Sequence, residues 1–423
     1  MKRSPYPPPL SPRDRPPVKR VAVLGSTGSL GLQALELCAR FADRLQVVAL
    51  AASGRRPEAL AEQVRRLRPR LVAVADPSAA ERLRADATEA GARLAAGPGA
   101  LVEAATHPEV DLVLVLTVGL AGLAPTVAAL EAGRRVALAN KEVLVAAGEL
   151  IPAARLLAEG RLLPVDSEHS ALWQSLLGER LEMEPAGGAP RPRAVRRLWL
   201  TASGGPFWGW SPERLRAVTP QQALAHPTWR MGPRVTIDSA TLMNKGFEII
   251  EAHHLFAVPY PDIRVVVHRQ SVVHSLVELA DGSFKAQLSL PDMRLPLLFA
   301  LSYPERWPFQ GPPPFLEPAG RAGAAVNLTF EPLDEAAEPA AIRLARQAAR
   351  AGSTYPAVLS AADEVAVEAF LAGRLPFDRL LGVVDAVLER HRPEGRLCLE
   401  SVQAADAWAR RAAREAAERL ARG

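Results

Sequence analysis

Two acidic residues and their polar neighbours form a dense group of side chains that could do chemistry. Residues 164–170 read Pro-Val-Asp-Ser-Glu-His-Ser, so a single residue separates Asp166 from Glu168. In an extended segment this spacing points both carboxylates to one side. At the end of a strand they could bind one divalent cation, because hard ions such as Mg2+ and Mn2+ prefer oxygen ligands. A solvated polar turn would have the same composition, and the stretch alone does not separate the two interpretations.

A second polar cluster, residues 236–251, could supply the rest of such a site. Asp238 or Ser239 is expected to begin a helix that continues through residue 256, since Asp and Ser are favoured N-cap residues. On that helix Asn244 and Glu248 share a face. Ser, Asn and Lys near a helix start could hold a phosphate, with Glu248 completing a metal shell. The alternative is an ordinary amphipathic helix with a Lys245–Glu248 ion pair.

Two other segments could contact a ligand. Residues 201–207, Thr-Ala-Ser-Gly-Gly-Pro-Phe, form a glycine turn able to present hydroxyl and N–H groups to an anion. Residues 225–233 contain His226 and Trp229 between two prolines and a glycine, a composition suited to an active-site flap. It suits a rigid hydrophobic crossover equally well.

The N-terminal part has the pattern of a dinucleotide-binding unit. An apolar strand at 21–24 runs into Gly25-x-x-Gly28-x-x-Gly31, and a helical pattern follows. The glycines would let the backbone approach a pyrophosphate, and the helix start offers it partial positive charge. A plain strand-to-helix turn is the alternative.

The residues after the second strand discriminate between the two nicotinamide dinucleotides. NAD enzymes usually place an acid there for the ribose 2′-hydroxyl, but here strand 46–52 is followed by Ser53-Gly54-Arg55-Arg56. Two guanidinium groups suit a 2′-phosphate, with which they can form bidentate bonds. The sequence therefore favours NADP.

These elements predict an α/β fold in three parts. Strands at 71–75, 110–116 and 135–139 continue the first unit into a doubly wound, Rossmann-like NADP-binding domain over 19–164. Asn140-Lys141-Glu142 follows the last strand and should face the cofactor cleft, unless it only caps a helix. Strands at 194–201, 263–267, 271–279 and 284–290 predict a central α+β catalytic domain with a mixed sheet over 165–302. A linker (303–327) and a small helical domain with little visible chemistry (328–423) would follow, and 1–18 would be a disordered leader.

Composition excludes several other classes of protein. The chain has 423 residues and a net charge of +5, but no basic block interleaved with aromatic residues, so nucleic-acid binding is not expected. Cys38 and Cys398 are the only cysteines, which predicts a reducing compartment and excludes a cysteine-based zinc site. We expect no membrane association and a cytoplasmic location, because no apolar run reaches membrane-spanning length and residues 1–18 lack the apolar core of a signal peptide.

Taken in order, the motifs resemble one family, 1-deoxy-D-xylulose 5-phosphate reductoisomerase of the non-mevalonate isoprenoid pathway. The resemblance runs from about residue 20 to the end, and it is carried by residues 24–31, 138–142, 163–169, 201–207, 226–229, 238–248 and 290–294.

The resemblance implies an NADPH-dependent reaction that requires a divalent metal (Mn2+, Mg2+ or Co2+). The ketose phosphate is rearranged to an aldehyde, which is then reduced to 2-C-methyl-D-erythritol 4-phosphate. It also implies a homodimer.

The resemblance further implies roles for individual residues. The metal ligands would be Asp166, Glu168 and Glu248, with Lys141 or Glu168 managing protons. The phosphate side of the substrate would contact Ser203, Ser239, Asn244 and Lys245. The rest of the substrate would meet Lys141, Ser167, Glu168, His226 and Glu248, with Trp229 as the lid. The cofactor would contact Thr27, Gly28, Ser29, Leu30, Gly54, Arg55, Arg56, Asn140, Glu142 and Gly232.

The chain departs from the family pattern at two places. Arg56 stands where many relatives have Asn, so which of residues 53–56 meets the 2′-phosphate is open. Arg269 replaces a proline of a His-Pro-Gln-Ser stretch, away from the chemistry.

Two other functions compete with this one. One is a dehydrogenase of the aspartate-semialdehyde or homoserine type, which shares a glycine-rich start and a second mixed domain. The semialdehyde version needs a nucleophilic Cys in its second domain, and neither Cys38 nor Cys398 lies there. An NADP-binding regulator would not need all three carboxylates.

Overall fold

The structure is a computed structural model. It describes residues 17–179, 181–182, 191–226, 228–229, 231–309, 311, 316, 327–333 and 338–422. Most of the predicted leader and of the predicted linker therefore lies outside the described residues.

The N-terminal half forms a parallel sheet of seven strands in the order β4-β3-β2-β1-β5-β6-β7. The strands are β1 Lys19–Leu24, β2 Leu45–Ala52, β3 Leu71–Val74, β4 Arg93–Ala96, β5 Leu112–Val115, β6 Arg135–Leu138 and β7 Leu162–Pro164. The connecting helices are α1 Ser29–Arg40, α2 Pro57–Leu67, α3 Pro77–Ala90, α4 Ala100–Ala105, α5 Leu123–Glu131, α6 Lys141–Ala147 and α7 Ala153–Ala158. Residues 21–24 and 71–74 are fully buried, as expected for parallel strands covered on both faces. The strand order reverses between β1 and β5, where open sheets of this type bind their ligands.

A second, mixed sheet follows in the order β13-β12-β10-β11-β14. Its strands are β10 Val195–Ala202, β11 Ile263–Val267, β12 Val273–Leu279, β13 Phe284–Leu288 and β14 Glu331–Pro332, and β8 Leu181–Glu182 pairs separately with β9 Arg191–Pro192. Only β10 and β11 run parallel within this sheet. The helices of this part are α8 Ser167–Leu176, α9 Pro212–Arg216, α10 Pro220–Leu224, α11 Pro233–Thr241, α12 Met243–Phe256 and α13 Arg294–Ser302.

Four helices complete the chain: α14 Ala340–Ala351, α15 Tyr355–Leu371, α16 Leu380–Arg390 and α17 Leu399–Ala421. Helix α14 packs on α12, and α15 packs on both α6 and α17. The C-terminal helices therefore cover the junction between the two sheets. The predicted α/β architecture is confirmed. None of the helices in the described ranges combines the length and the apolar character that a membrane crossing requires.

Two local predictions were wrong. Asp166 and Glu168 do not lie on one extended segment, because Asp166 caps α8 and Glu168 lies in its first turn. Asp238 and Ser239 do not begin a helix either, since Pro233 begins α11 earlier, at a position that proline favours. Leu242 then interrupts the run with a left-handed φ of 67°, so α12 is a separate helix.

Candidate active site

The glycine turn lies at the carboxyl end of β1 and leads into α1. Gly25 has a φ of 88°, and a Cβ there would lie 2.6 Å from the carbonyl oxygen of Leu116, directly after the neighbouring strand β5. A Cβ on Gly31 would collide with the carbonyl oxygens of Gly25 and Ser26. Gly28 is extended and precedes the first residue of α1, so the helix starts with its N–H groups free of a side-chain cap. The turn therefore has the close packing and open N-terminus that a pyrophosphate needs.

Gly31→Ala is expected to displace α1 from the turn. The new methyl group would meet backbone atoms, which cannot rotate away. We expect a loss of about 1–3 kcal/mol in the free energy of unfolding, together with weaker NADPH binding. Thermal unfolding and fluorescence titration measure the two effects.

Gly99→Ala is the matched control, because nothing lies within 4 Å of a Cβ at that position. Equal behaviour of the two variants would show that the close approach at Gly31 has no consequence.

The arginine loop is tied to the glycine turn. The Arg56 guanidinium donates a hydrogen bond to the Thr27 carbonyl oxygen, while the rest of its side chain stays exposed. Gly54 takes a φ of 98°, which turns the chain between the strand and the two arginines. Arg55 is also exposed. The Arg56 guanidinium thus lies beside the glycine turn, and Arg55 precedes it in the same loop.

Asn140 joins two loops at the same edge of the sheet. Its side chain is buried, and Nδ2 donates to Thr117 Oγ1 at 3.0 Å and to the Gly119 carbonyl at 2.9 Å. Among the described residues its Oδ1 has no hydrogen-bond partner. A buried acceptor of this kind is available to a donor on a ligand.

Three carboxylates and two lysines meet in the cavity between the sheets. Lys141 Nζ lies 2.5 Å from Asp166 Oδ2, 3.0 Å from Glu248 Oε1 and 2.9 Å from Asn244 Oδ1. Lys245 Nζ lies 2.9 Å from Glu168 Oε1, donates to the Thr201 carbonyl and also contacts Glu248. Glu248 is completely buried. The strand-to-helix turns after β6 and β7 and the first turns of α12 bring these groups together.

The charges perturb one another strongly. Burial alone would raise the pKa of Asp166, but the Lys141 ammonium outweighs it and the pKa is lowered. Burial likewise opposes ionisation of Glu168, and Lys245 reverses the effect, so the pKa of Glu168 is lowered too. The pKa of Glu248 is raised, first by burial and then by the Glu168 charge. Glu248 therefore resists ionisation, whereas Asp166 and Glu168 ionise readily. This combination indicates a site whose positive charge does not balance all three carboxylates.

The donor set fits a hard divalent cation. Oxygen atoms of Asp166, Glu168 and Glu248 all lie within 4.8 Å of one another. Oxygen ligands at about 2.0–2.1 Å from one Mg2+ lie closer together than this limit, so binding would draw the carboxylates inward and move the Lys141 and Lys245 ammonium groups that now lie among them. The three predicted metal ligands are therefore neighbours, although Glu248 comes from a distant part of the sequence.

A buried histidine and a fourth carboxylate support this cluster, and neither had been assigned a role. His169 donates through Nε2 to the Glu248 carbonyl at 2.9 Å, while Nδ1 lies 3.2 Å from Glu251 Oε2 and 3.5 Å from Asp166 Oδ2. Burial works against the charge of His169, but Glu251 and Asp166 raise its pKa to about 9. Asp166, His169 and Glu251 form a second group of possible metal ligands within the described chain. The spacing of Glu248 and Glu251, one helical turn apart, was the signal in the sequence that could have placed Glu251 beside Glu248.

The predicted phosphate contacts divide into two sets. Ser203 Oγ and Ser239 Oγ lie 3.1 and 3.2 Å from His226 Nε2. The other ring nitrogen, Nδ1, accepts from the backbone N–H groups of Thr228 and Trp229, so Nε2 carries the proton. Asn244 instead donates to Glu248 Oε1 at 2.6 Å, and Lys245 lies among the carboxylates. Two hydroxyls, both in contact with the His226 imidazole, therefore form one pole of the cavity, and the acids form the other.

Most of the predicted site residues line this single cavity. They are Ser29, Leu30, Lys141, Asp166, Ser167, Glu168, Ser203, Trp229, Gly232, Ser239, Asn244, Lys245 and Glu248. The remaining ones, Thr27, Gly28, Gly54, Arg55, Arg56, Asn140, Glu142 and His226, are not in its lining. The other lining residues, to which sequence reasoning gave no role, include Gln33, Met231, His274 and Met293. Met231 and Met293 lie within the segments 225–233 and 290–294 that the motifs single out, whereas nothing in the spacing of Gln33 points to the cavity.

A buried charge network lies behind the cavity wall, and it corrects the view that the C-terminal helices carry little chemistry. Arg234 Nη1 lies 3.1 Å from Glu142 Oε1 and 2.8 Å from Glu364 Oε2. Glu364 also accepts from Arg410 at 3.0 Å. The carboxylate of Glu142, a residue predicted to contact the cofactor, forms an ion pair with Arg234. Helices from all three parts of the chain meet in this network.

Two acids in the same network resist ionisation. Burial raises the pKa of Asp363 to about 6, and burial together with the Asp363 charge raises the pKa of Asp238 well above its usual range. Arg234 faces both acids, and Glu142 and Glu364 lie beside it.

Asp363→Asn should make stability less dependent on pH. Between the ordinary value of 3.8 and about 6, the folded protein binds more protons at Asp363 than the unfolded chain does. Stability therefore falls as pH rises through that window, and the amide removes this contribution. Thermal unfolding from pH 4 to pH 7 should show a smaller decline for the variant than for the wild type. The exposed Asp385→Asn serves as control, and an unchanged decline in Asp363→Asn would contradict the raised pKa of Asp363.

The fold and the cavity together define a class, that of two-sheet oxidoreductases with a dinucleotide-binding turn and an acidic, lysine-bearing site. Comparison with known proteins defines the family. A family model of 1-deoxy-D-xylulose 5-phosphate reductoisomerase matches residues 21–148, a model of its C-terminal domain matches 162–256, and a further C-terminal domain model matches 288–412. The chain belongs to the 1-deoxy-D-xylulose 5-phosphate reductoisomerase family.

Individual relatives are similar over nearly their whole length. The reductoisomerase of Symbiobacterium thermophilum is 52% identical over 406 residues, covering 95% of this chain and 100% of the relative. That of Thermomicrobium roseum is 49% identical over 403 residues, covering 95% and 98%. The Zymomonas mobilis enzyme, solved with NADPH, has a TM-score of 0.80 at 39% identity and covers 95% of this chain and 99% of its own. A reductoisomerase solved with NADPH, fosmidomycin and magnesium has a TM-score of 0.84 at 35% identity, with 96% and 100% covered.

Proposed function

We propose that Asp166, Glu168 and Glu248 hold the divalent ion with which this chain converts 1-deoxy-D-xylulose 5-phosphate to 2-C-methyl-D-erythritol 4-phosphate, using NADPH. The observation that carries the proposal is the meeting of these three carboxylates within 4.8 Å in a cavity that the glycine-turn helix also lines. The relatives solved with NADPH and with magnesium support the choice of cofactors.

The two poles of the cavity suit the two ends of the substrate. Ser203 and Ser239 offer hydroxyl donors to the phosphate, and His226 Nε2 contacts both hydroxyls, whereas Lys245 and Asn244 lie among the acids. Asp166, Glu168 and Lys141 would then face the carbonyl end. We expect this orientation to direct the reacting carbons toward Ser29 and Leu30, which line the same cavity at the start of the glycine-turn helix.

When bound, the divalent ion supplies a Lewis acid for adjacent substrate oxygens, and NADPH supplies the hydride. The chain's own residues bind, orient and move protons. Burial works against the charge of Lys141, but Asp166 and Glu248 raise its pKa, so the residue remains an ammonium donor beside the substrate. Glu168, ionised and hydrogen-bonded by Ser167 Oγ at 2.6 Å, can accept a proton from a substrate hydroxyl. Trp229, whose ring centroid lies 5.9 Å from that of His274 with the rings tilted, lines the cavity and would limit access of water.

For the cofactor we propose contacts at Thr27, Gly28, Ser29 and Leu30 through the turn, and at Gly54, Arg55 and Arg56 through the 2′-phosphate. Asn140, Glu142 and Gly232 complete the set. The unpartnered Oδ1 of Asn140 supports a direct contact by that residue.

The direct test follows NADPH oxidation with 1-deoxy-D-xylulose 5-phosphate in the presence of Mg2+ or Mn2+, and again after EDTA. We expect metal-dependent turnover with one NADPH consumed per product. Turnover that survives complete chelation would remove the metal from the proposal, and no turnover with either ion would overturn the function.

We further propose that two copies of the chain form a homodimer in the cytoplasm and that the functional division is 19–164, 165–302 and 328–423. The edge strand β13 supports an assembly, because it leaves Phe284 53% exposed. Light scattering at micromolar concentration should give twice the chain mass.

A further inference from the structure

We infer that Arg234 is a positioning residue, which fixes the substrate-side wall of the cavity relative to the cofactor cleft. The inference rests on the substrate contacts proposed above.

Helix α11 presents different residues to the cavity and to the interior behind it. Val235 and Ser239, four residues apart, line the cavity together with Gly232 just before the helix. Arg234 and Asp238 are also four residues apart, and both are buried on the side of the charge network. A shift of Arg234 would therefore move Ser239, which lies near His226 at the phosphate pole.

One guanidinium joins three parts of the chain. Arg234 comes from the helix of the substrate side, Glu142 from α6 directly after Lys141, and Glu364 from the C-terminal helix α15. The Arg234 side chain is only 12% exposed. The donors of a guanidinium are fixed in one plane. Arg234 therefore sets the orientation of its helix relative to Glu142 and Glu364 more precisely than a lysine ammonium could.

The same network touches the cofactor edge of the parallel sheet. A Cβ on Gly119 would lie 2.8 Å from Glu364 Oε2, so this carboxylate packs directly on the loop after β5. The Gly119 carbonyl in turn accepts from Asn140 Nδ2. From Asn140 to Ser239 the chain of contacts is continuous, and Arg234 is its central member.

A merely structural ion cluster is the competing explanation, and Arg346 offers a matched control. Its side chain is also 12% exposed, and it joins the C-terminal helix α14 to the mixed sheet through Glu338, the Tyr260 carbonyl and the Ile263 carbonyl. Arg346 does not line the active-site cavity. Arg234→Lys and Arg346→Lys therefore alter two equally buried arginines, each of which forms an ion pair. Only Arg234 lies on a helix that lines the substrate cavity.

The experiment compares Arg234→Lys, Arg346→Lys and wild type as full-length enzyme with Mg2+. Thermal unfolding, the Kd of NADPH, and the Kd of 1-deoxy-D-xylulose 5-phosphate in the complex with NADP+ are measured beside KM and kcat. We expect Arg234→Lys to raise the substrate Kd and KM by about tenfold or more, while the NADPH Kd stays within about twofold. Arg346→Lys should leave all binding constants near wild type, even where it lowers the melting temperature.

Glu364→Gln provides a second measurement. Acting through Arg234, it should raise the substrate Kd in the wild-type background and add little in Arg234→Lys. Independent effects in the double variant, an unchanged substrate Kd in Arg234→Lys, or an equal rise in Arg346→Lys would each overturn the inference. A wild-type enzyme with no affinity for the substrate would overturn the proposed function instead.

Discussion

Glu248→Gln is expected to lower kcat by about a thousandfold or more while leaving the Kd of NADPH within about twofold. The amide keeps the shape of the side chain but loses the charge that a divalent cation needs. Glu248 is completely buried on α12, where Oε1 meets Lys141 at 3.0 Å and Asn244 at 2.6 Å. Among the described residues, Glu248 bonds to Lys141, His169, Asn244 and Lys245 and not to the glycine turn, so cofactor affinity should not change. Steady-state kinetics and fluorescence titration with NADPH check the two halves of the expectation.

Glu278→Gln is the control for this substitution. Glu278 is also buried, but on β12, where it pairs with Arg197 and accepts from Trp199 Nε1 at 2.9 Å outside the cavity. We expect it to retain kcat within about threefold. If Glu248→Gln instead retained kcat and lost NADPH affinity, Glu248 would belong to the cofactor site.

Lys141→Met should have the second largest effect, on both activity and stability. Removing the ammonium leaves Asp166 without its nearest cation and Glu248 with only one of its two lysine partners, and breaking a buried pair costs about 3–5 kcal/mol. Loss of the proton donor should lower kcat by about a hundredfold or more. Because a divalent ion can offset the missing charge, Mn2+ should raise the melting temperature of the variant more than that of the wild type.

Lys285→Met serves as the matched lysine variant, since its ion pair with Glu179 is 42% exposed at the lysine. It should behave as wild type in both measurements. A Lys141→Met enzyme with normal kcat would remove Lys141 from the proton-transfer role. An equal Mn2+ effect on the melting temperatures of variant and wild type would show that Lys141 and the ion do not share the carboxylates.

The fold was largely predictable because local patterns and long-range structure agree. Strands β1, β2, β3, β5 and β6 are short apolar runs with glycine-rich or polar ends, and each lies where its pattern indicated. The edge strands were missed for physical reasons. Arg93–Ala96 lacks β-branched residues, and Leu162–Pro164 has three residues and ends in proline.

The site was predictable as a set of residues but not as a geometry. Asp166 and Glu168 converge with Glu248 through two helix starts, not through an extended strand. Lys245 fits the phosphate grip by composition, yet its ammonium lies against Glu168 and Glu248. Arg234, Asp363 and Glu364 were missed altogether, because their contacts join positions far apart in sequence that no local spacing connects.

The position of the metal ion can be measured directly. Crystals grown with Mn2+, NADPH and a substrate analogue would reveal the ion by its anomalous scattering. We predict one strong peak bounded by the carboxylates of Asp166, Glu168 and Glu248. A peak bounded instead by Asp166, His169 and Glu251, the other group able to hold an ion in the described chain, would contradict the assignment. So would the absence of any peak in crystals of active enzyme.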